Sequence, residues 1–127
     1  LPERQCNTRT LPIFGYEPHS NWEDPMHYYG TESKKIKALD TKTGTTSLSK
    51  KIFITENQII WAVQEEMAIN LEDIHARRTR CLFLDAFETE KIAPQVVSIM
   101  AKNLGLNKSW EENELSRFNT LIKKYQL

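Results

Sequence analysis

Four of the five prolines and two of the four glycines lie within the first 31 residues. Proline has no backbone N–H and a locked φ, so this stretch cannot form a continuous helix, whereas the rest of the chain holds only Pro94. The run Leu11-Pro12-Ile13-Phe14-Gly15-Tyr16 is apolar but broken, and reads as an extended arm. Ser20-Asn21-Trp22-Glu23 has capping-box spacing and predicts a short helix to about Tyr29. Glu32 to about Leu39 suits another turn or two of helix, and Thr41 to Lys51 reads as an exposed loop rich in Thr, Ser, Lys and Gly.

Beyond that loop the apolar residues recur at helical spacing. Thr55-Glu56-Asn57-Gln58 fits a capping box, and Ile59, Ile60, Val63 and Met67 follow on one face. Asn70 can cap a second short helix. Glu72 and Asp73 stand in its first turn, where the helix dipole favours negative charge, and Arg77, Arg78 and Arg80 stand at its end. Cys81-Leu82-Phe83-Leu84 reads as an apolar link packed into the core. A third pattern runs from about Asp85 to Leu104. Pro94 is expected to kink or restart it, and Gly105 to stop it. Ser109-Trp110-Glu111-Glu112 has capping-box spacing, with Leu115, Phe118, Ile122 and Tyr125 on the inner face of the last helix. No useful stretch alternates as a strand does. The expected fold is all-α: a small helical bundle with an extended, irregular N-terminal arm. It forms one domain over 1–127, with 1–31 as arm and short helix and 55–127 as helical core.

Composition narrows the function classes. Lysine plus arginine equal aspartate plus glutamate at 17 each, so the formal net charge is zero. That speaks against a nucleic-acid binder, which ordinarily carries a basic excess. No apolar run approaches the ~20 residues needed to span a bilayer. The chain opens Leu1-Pro2-Glu3 without a signal peptide or initiator Met, which reads as a piece of a longer chain or a processed product. Cys6 and Cys81 form no CxxC or metal spacing and read as two reduced thiols.

The densest chemistry lies between Glu65 and Arg80. Asp73 and Arg77 are i,i+4 partners, and Glu65 or Glu66 can reach Arg77 or Arg78 across the turn. An arginine fork binds a carboxylate through two parallel bonds, so Glu65, Glu66, Asp73, Arg77, Arg78 and Arg80 are the candidate motif. The acids nearby neutralise the arginines, which favours an ion-pair clamp between helices over a site for a phosphate or acidic substrate. His19, His27 and His75 are too widely spaced for a local metal motif and read as surface or packing residues. Trp22, Trp61 and Trp110 read as core or interface anchors. No phosphate-binding, hydrolase or zinc-protease motif occurs. From the residues alone this is a helical domain without a self-contained catalytic, cofactor or metal site.

The stretch IIWAVQEEMAINLEDIHARRTRCLFL, Ile59 to Leu84, resembles the C-terminal domain of FAD-dependent glycerol-3-phosphate dehydrogenases. The likeness falls on Ala62-Val63, on Glu66-Met67-Ala68, on Glu72-Asp73, on Ala76-Arg77-Arg78-Thr79-Arg80 and on Phe83-Leu84. Cys6-Asn7-Thr8 with Leu11 to Gly15 resembles the entry to that domain, and Tyr29-Gly30 its turn. Ala93 to Val96, Met100 to Gly105 and Trp110 resemble its closing helices. Gln64, Asn70 and His75 depart from the family pattern, which usually has Arg, Thr and an apolar residue there.

The resemblance implies a parent flavoprotein that oxidises sn-glycerol 3-phosphate to dihydroxyacetone phosphate and passes electrons to a quinone or to oxygen. It implies FAD in an N-terminal domain absent from this chain, with that flavin domain as the same-chain partner. The helical domain would cap it and be non-catalytic alone. A cytoplasmic location follows, with membrane contact only peripheral, at the inner face and through the parent. The alternative is a stand-alone helical interaction module. A cap is expected to expose an orphaned apolar patch around Leu11–Phe14 and Tyr28–Tyr29, which a monomeric module would not show.

Overall fold

The computed structural model describes residues 6–39 and 44–126. The chain divides into two compact units, Leu1–Lys35 and Ile36–Leu127.

The first unit is built from turns. Tyr16 N–H bonds the Ile13 carbonyl, and Thr31 N–H bonds the Gly15 carbonyl. The expected helix from Ser20 does not form. Asn21 and Asp24 accept the backbone N–H groups of Glu23 and Met26 at 3.1 and 2.8 Å, so Asx turns take the place of a capping box. A 3-10 helix follows at His27–Glu32, interrupted at Gly30. Met26 is the buried apolar residue here, while Trp22 stays 80% exposed and is not a core anchor. Helix α1, Ser33–Lys37, carries the chain across the boundary between the units.

In the second unit the expected loop is only partly exposed. Its residues 41–43 lie outside those described, and Gly44 is buried. Leu48 N–H bonds the Ile54 carbonyl at 2.8 Å, and Ser47–Thr55 forms an isolated bridge. Helix α2, Glu56–Gln64, starts on the expected capping box, with both reciprocal bonds made. It ends earlier than the apolar spacing suggests. Met67 has φ 56 and is exposed, and the chain folds back so that Ala68 N–H bonds the Ala62 carbonyl. Ala68 fills the core position in its place.

A π-helical segment, Asp73–Arg78, replaces the expected α-helical turn. Helix α3, Cys81–Leu84, buries Cys81 and Leu82 but exposes Phe83 and Leu84, so only half of the expected link is core. Helix α4, Ala86–Leu104, is continuous and spans about 28 Å. Pro94 neither restarts nor ends it, because the proline sits on the exposed face, where water can replace the lost backbone bond. Gly105 stops it at φ 69, as expected. Helix α5, Lys108–Ile122, starts on Asn107 rather than Ser109, because the Asn107 carboxamide accepts the Trp110 N–H at 3.1 Å. It ends before Tyr125, which is exposed.

Helix α4 is the spine and packs against α2, α3 and α5. Ile59, Leu71, Ile74, Val96, Met100 and Phe118 lie in its core, and each is 2% exposed or less. The all-α expectation holds.

Candidate functional site

The Glu65–Arg80 stretch is held at both ends by backbone capping. Asn70 accepts the Asp73 N–H at 2.8 Å, the cap the sequence suggested, and Asp73 Oδ2 accepts the Ile69 N–H at 3.1 Å. The segment then winds as a π-helix. Thr79 closes it, donating its N–H and its hydroxyl to the Ile74 carbonyl five residues back, at 2.9 and 2.8 Å. The wider winding brings residues five apart close together. Arg77 therefore forks between two acids: Nη1 meets Asp73 Oδ1 at 2.9 Å and Nη2 meets Glu72 Oε1 at 2.8 Å. Glu72 was not among the sequence candidates, because an α-helix turns i and i+5 to different faces.

Arg78 makes the contact that crosses between segments. Its Nε lies 3.2 Å from Glu66 Oε2, and its Nη2 donates to the Glu66 backbone carbonyl at 2.6 Å. Both side chains are about two-thirds buried, at 31% and 27% exposed. Burial raises the Glu66 carboxyl above its usual value, and the Arg78 charge pulls it back down. Glu65 and Arg80 complete the candidate set but do not join this network. Among the described residues neither side chain has an ion-pair partner.

The geometry ranks the two arginines. Arg77 is half exposed, so Arg77→Ala should cost only about 0.2–1 kcal/mol in thermal or chemical melts. Arg78→Ala removes a charged bond to a backbone carbonyl and strands a desolvated acid, and should cost about 1–3 kcal/mol. Equal losses in the two variants would tell against the clamp.

Two buried polar groups, Glu114 and His75, accompany the clamp; Glu114 escaped sequence reading, and His75 takes the packing role among the two the sequence offered. Glu114 is 7% exposed, accepts the Leu71 N–H at 2.8 Å and pairs with Arg117 at 2.9 Å. It satisfies a backbone donor at the entry to the π segment. Its position four before Phe118 and eight before Ile122 puts it on the inner stripe of α5, a signal that was present in the sequence. His75 is fully buried, and its ring lies 5.2 Å from that of Phe118. Neither ring nitrogen has a hydrogen-bond partner among the described residues, and burial pushes the imidazole pKa down to about 3.

Arg77 and Arg78 are both engaged by carboxylate or carbonyl oxygen, the pattern of an ion-pair clamp. Among the described residues no group of three or more His, Cys, Asp or Glu side chains is placed to hold a metal ion. Cys6 is exposed, Cys81 is buried, and both thiols are free. His19 and His27 lie beside a surface cleft of about 230 Å³ in the first unit, where His27 Nδ1 is 2.9 Å from the Asp24 carbonyl oxygen.

The family model of the C-terminal domain of alpha-glycerophosphate oxidase matches residues 6–113. A protein of Dictyostelium discoideum, described as a probable mitochondrial glycerol-3-phosphate dehydrogenase, is 27% identical over 135 residues. The match takes in 93% of this chain but 21% of the relative, so the chain spans about a fifth of that relative's length. No solved structure matches. With a family model covering both the arm and the clamped helices, the chain belongs to the family of C-terminal domains found in alpha-glycerophosphate oxidase.

Proposed function

We propose that this chain is the helical C-terminal cap of an FAD-dependent glycerol-3-phosphate dehydrogenase, and that it is inactive alone. The parent would oxidise sn-glycerol 3-phosphate to dihydroxyacetone phosphate, with a quinone or oxygen as final acceptor. The observation that carries this reading is the family match over 6–113. The exposed apolar side chains of the first unit support it. Leu11, Ile13, Phe14 and Tyr28 are 51–88% exposed, the pattern expected where a cap faces a neighbour.

The residues here do not fit the flavin. The four glycines stand at 15, 30, 44 and 105, so no glycine-rich turn opens a helix onto a pyrophosphate. The cleft of about 420 Å³ on α5, lined by Glu112, Leu115, Ser116, Asn119, Thr120 and Lys123, is a groove open along a single helix, unlike an enclosing dinucleotide pocket. Our reading therefore assigns FAD to another part of the parent. No helix among the described residues is long and apolar enough to cross a membrane. Our reading is a cytoplasmic domain whose membrane contact is peripheral and made through the parent.

Two measurements test the proposal. An immunoblot of source cells should show a band several times larger than 14.8 kDa that co-purifies with glycerol-3-phosphate-dependent dye reduction. The purified 127-residue chain should be colourless. A band at the fragment's own size would replace the proposal with the stand-alone interaction module. A stoichiometric flavin spectrum from the fragment would overturn the claim that the cap lacks a cofactor site.

A further inference from the structure

Exposed apolar residues gather a second time, in the second unit. Phe83 and Leu84 on α3 and Phe87 in the first turn of α4 are 60%, 71% and 56% exposed. Tyr125, 43% exposed, extends the same surface, because its ring meets that of Phe83 edge-on at 5.7 Å. Three exposed large apolar side chains within five residues of sequence, with a fourth ring packed on one of them, are more than the scattered singles of an ordinary monomer.

Arg80 borders this area. It caps α3 in the left-handed region, at φ 58 and ψ 13, a conformation that costs a non-glycine residue roughly 1–2 kcal/mol. Among the described residues its guanidinium has no ion-pair partner, whereas Arg77 and Arg78 on the same segment are both paired. An unspent charge on strained backbone beside an apolar patch has the composition of an interface: aromatic and aliphatic anchors with an arginine at the edge.

We infer that the Arg80–Phe83–Leu84–Phe87 face is where this domain docks on the preceding part of its own parent chain, with an apolar patch meeting these rings and a carboxylate meeting Arg80. The inference rests on the proposed reading of the chain as one domain of a longer dehydrogenase. The occupant follows from length. The matched relative has about four-fifths of its chain outside the matched region, and the family is described as a C-terminal domain, so on that reading a large covalent neighbour precedes this domain. Tethering holds such a neighbour at millimolar-scale effective concentration, enough to seat it on a patch of this modest size.

The test uses the full-length parent. Leu84→Cys and Phe87→Cys are each introduced and labelled with a water-soluble maleimide, native and urea-unfolded, with Cys6 and Cys81 resolved by peptide mass spectrometry. Both positions are more than half exposed in the domain itself, so the substitutions leave its core intact. Docking predicts native labelling at least about tenfold slower than unfolded labelling, at every protein concentration. Arg80→Glu in the Leu84→Cys background should restore fast labelling, and unchanged protection would overturn the charge contact. Native labelling within about twofold of the unfolded rate overturns the docking face. Protection that disappears on dilution assigns the face to a second copy and overturns the intrachain occupant. The two readings fail separately. A parent that oxidises glycerol 3-phosphate while Leu84→Cys labels freely sinks only this inference. A protected site in a parent without flavin or activity sinks only the dehydrogenase reading.

Discussion

Lowering the pH from 6.5 to 5 is expected to cost this protein about 2 kcal/mol of folding stability through His75 alone. The imidazole is buried, and both ring nitrogens lack partners among the described residues. Charging it in place would leave an unpaired cation against Phe118. Burial therefore holds the native pKa near about 3, while the unfolded chain keeps the ordinary 6.5. Above about pH 7.5 both states are neutral and His75 adds no pH dependence. Between 6.5 and about 3 the unfolded state binds a proton that the native state refuses, so stability falls by about 1.4 kcal/mol per pH unit. Glu66 works in the opposite sense. Burial raises its native pKa, so it favours the folded state as the pH drops, but only in the lower, carboxylate range. His75→Leu should flatten the profile between pH 6.5 and 5 and leave stability at pH 7.5 unchanged or higher, since no hydrogen bond of the ring is lost. Urea midpoints of both proteins at pH 7.5, 6 and 5 decide it. Parallel profiles for wild type and variant would show that the imidazole finds a partner or becomes charged in the fold.

The sequence was most legible where one local interaction decides one boundary. The Thr55–Gln58 capping box, the Asn70 cap and the Gly105 stop all appear as expected, because each is a short-range bond between a side chain or φ preference and the adjacent backbone. Legibility failed where two local signals compete. Ser109 and Asn107 both offer caps to α5, and Asn107 prevails by accepting the Trp110 N–H. Ser20 lost to the Asx turns of Asn21 and Asp24, which satisfy the same backbone with less ordering.

Periodicity misled where tertiary packing overrode it. Met67 continues the α2 stripe in sequence, but the helix stops at Gln64 and Ala68 takes the buried place. Tyr125 is in phase with Phe118 and Ile122 but lies past the end of α5. The clamp was legible in part. Asp73–Arg77 follows from i,i+4 spacing and Glu66–Arg78 from proximity across a turn, whereas the fork to Glu72 depends on π winding. That winding adds one residue to a turn and leaves no compositional trace. Glu114 was not singled out in the sequence, although its position on the α5 stripe marked it.

Gly30→Ala should open the first unit, while the same substitution at Gly105 should be mild. Gly30 stands at φ 53 and ψ −128, a region closed to residues with a β-carbon, and its carbonyl accepts the Ser33 N–H at the end of the 3-10 helix. A β-carbon there would fall 1.8 Å from the Gly15 carbonyl oxygen. No rotamer relieves that clash, because the obstacle is backbone. The Gly15 carbonyl must move, and it then loses the Thr31 N–H it accepts at 3.1 Å. The conformational penalty of about 1–3 kcal/mol and the lost bond of about 1 kcal/mol act together on a unit that is mostly turns. Gly105 also has positive φ, 69, but a β-carbon there meets nothing within 4 Å. Its φ lies in the ordinary left-handed region, so Gly105→Ala should cost about 1 kcal/mol. Amide exchange separates the two. In Gly30→Ala the Thr31 and Tyr16 amides should lose their protection, and proteases should cut between residues 10 and 32. In Gly105→Ala only the amides at the end of α4 should exchange faster. A Gly30→Ala protein with native protection at Thr31 would mean that the Tyr29-Gly30 turn adopts a different backbone path from the one described.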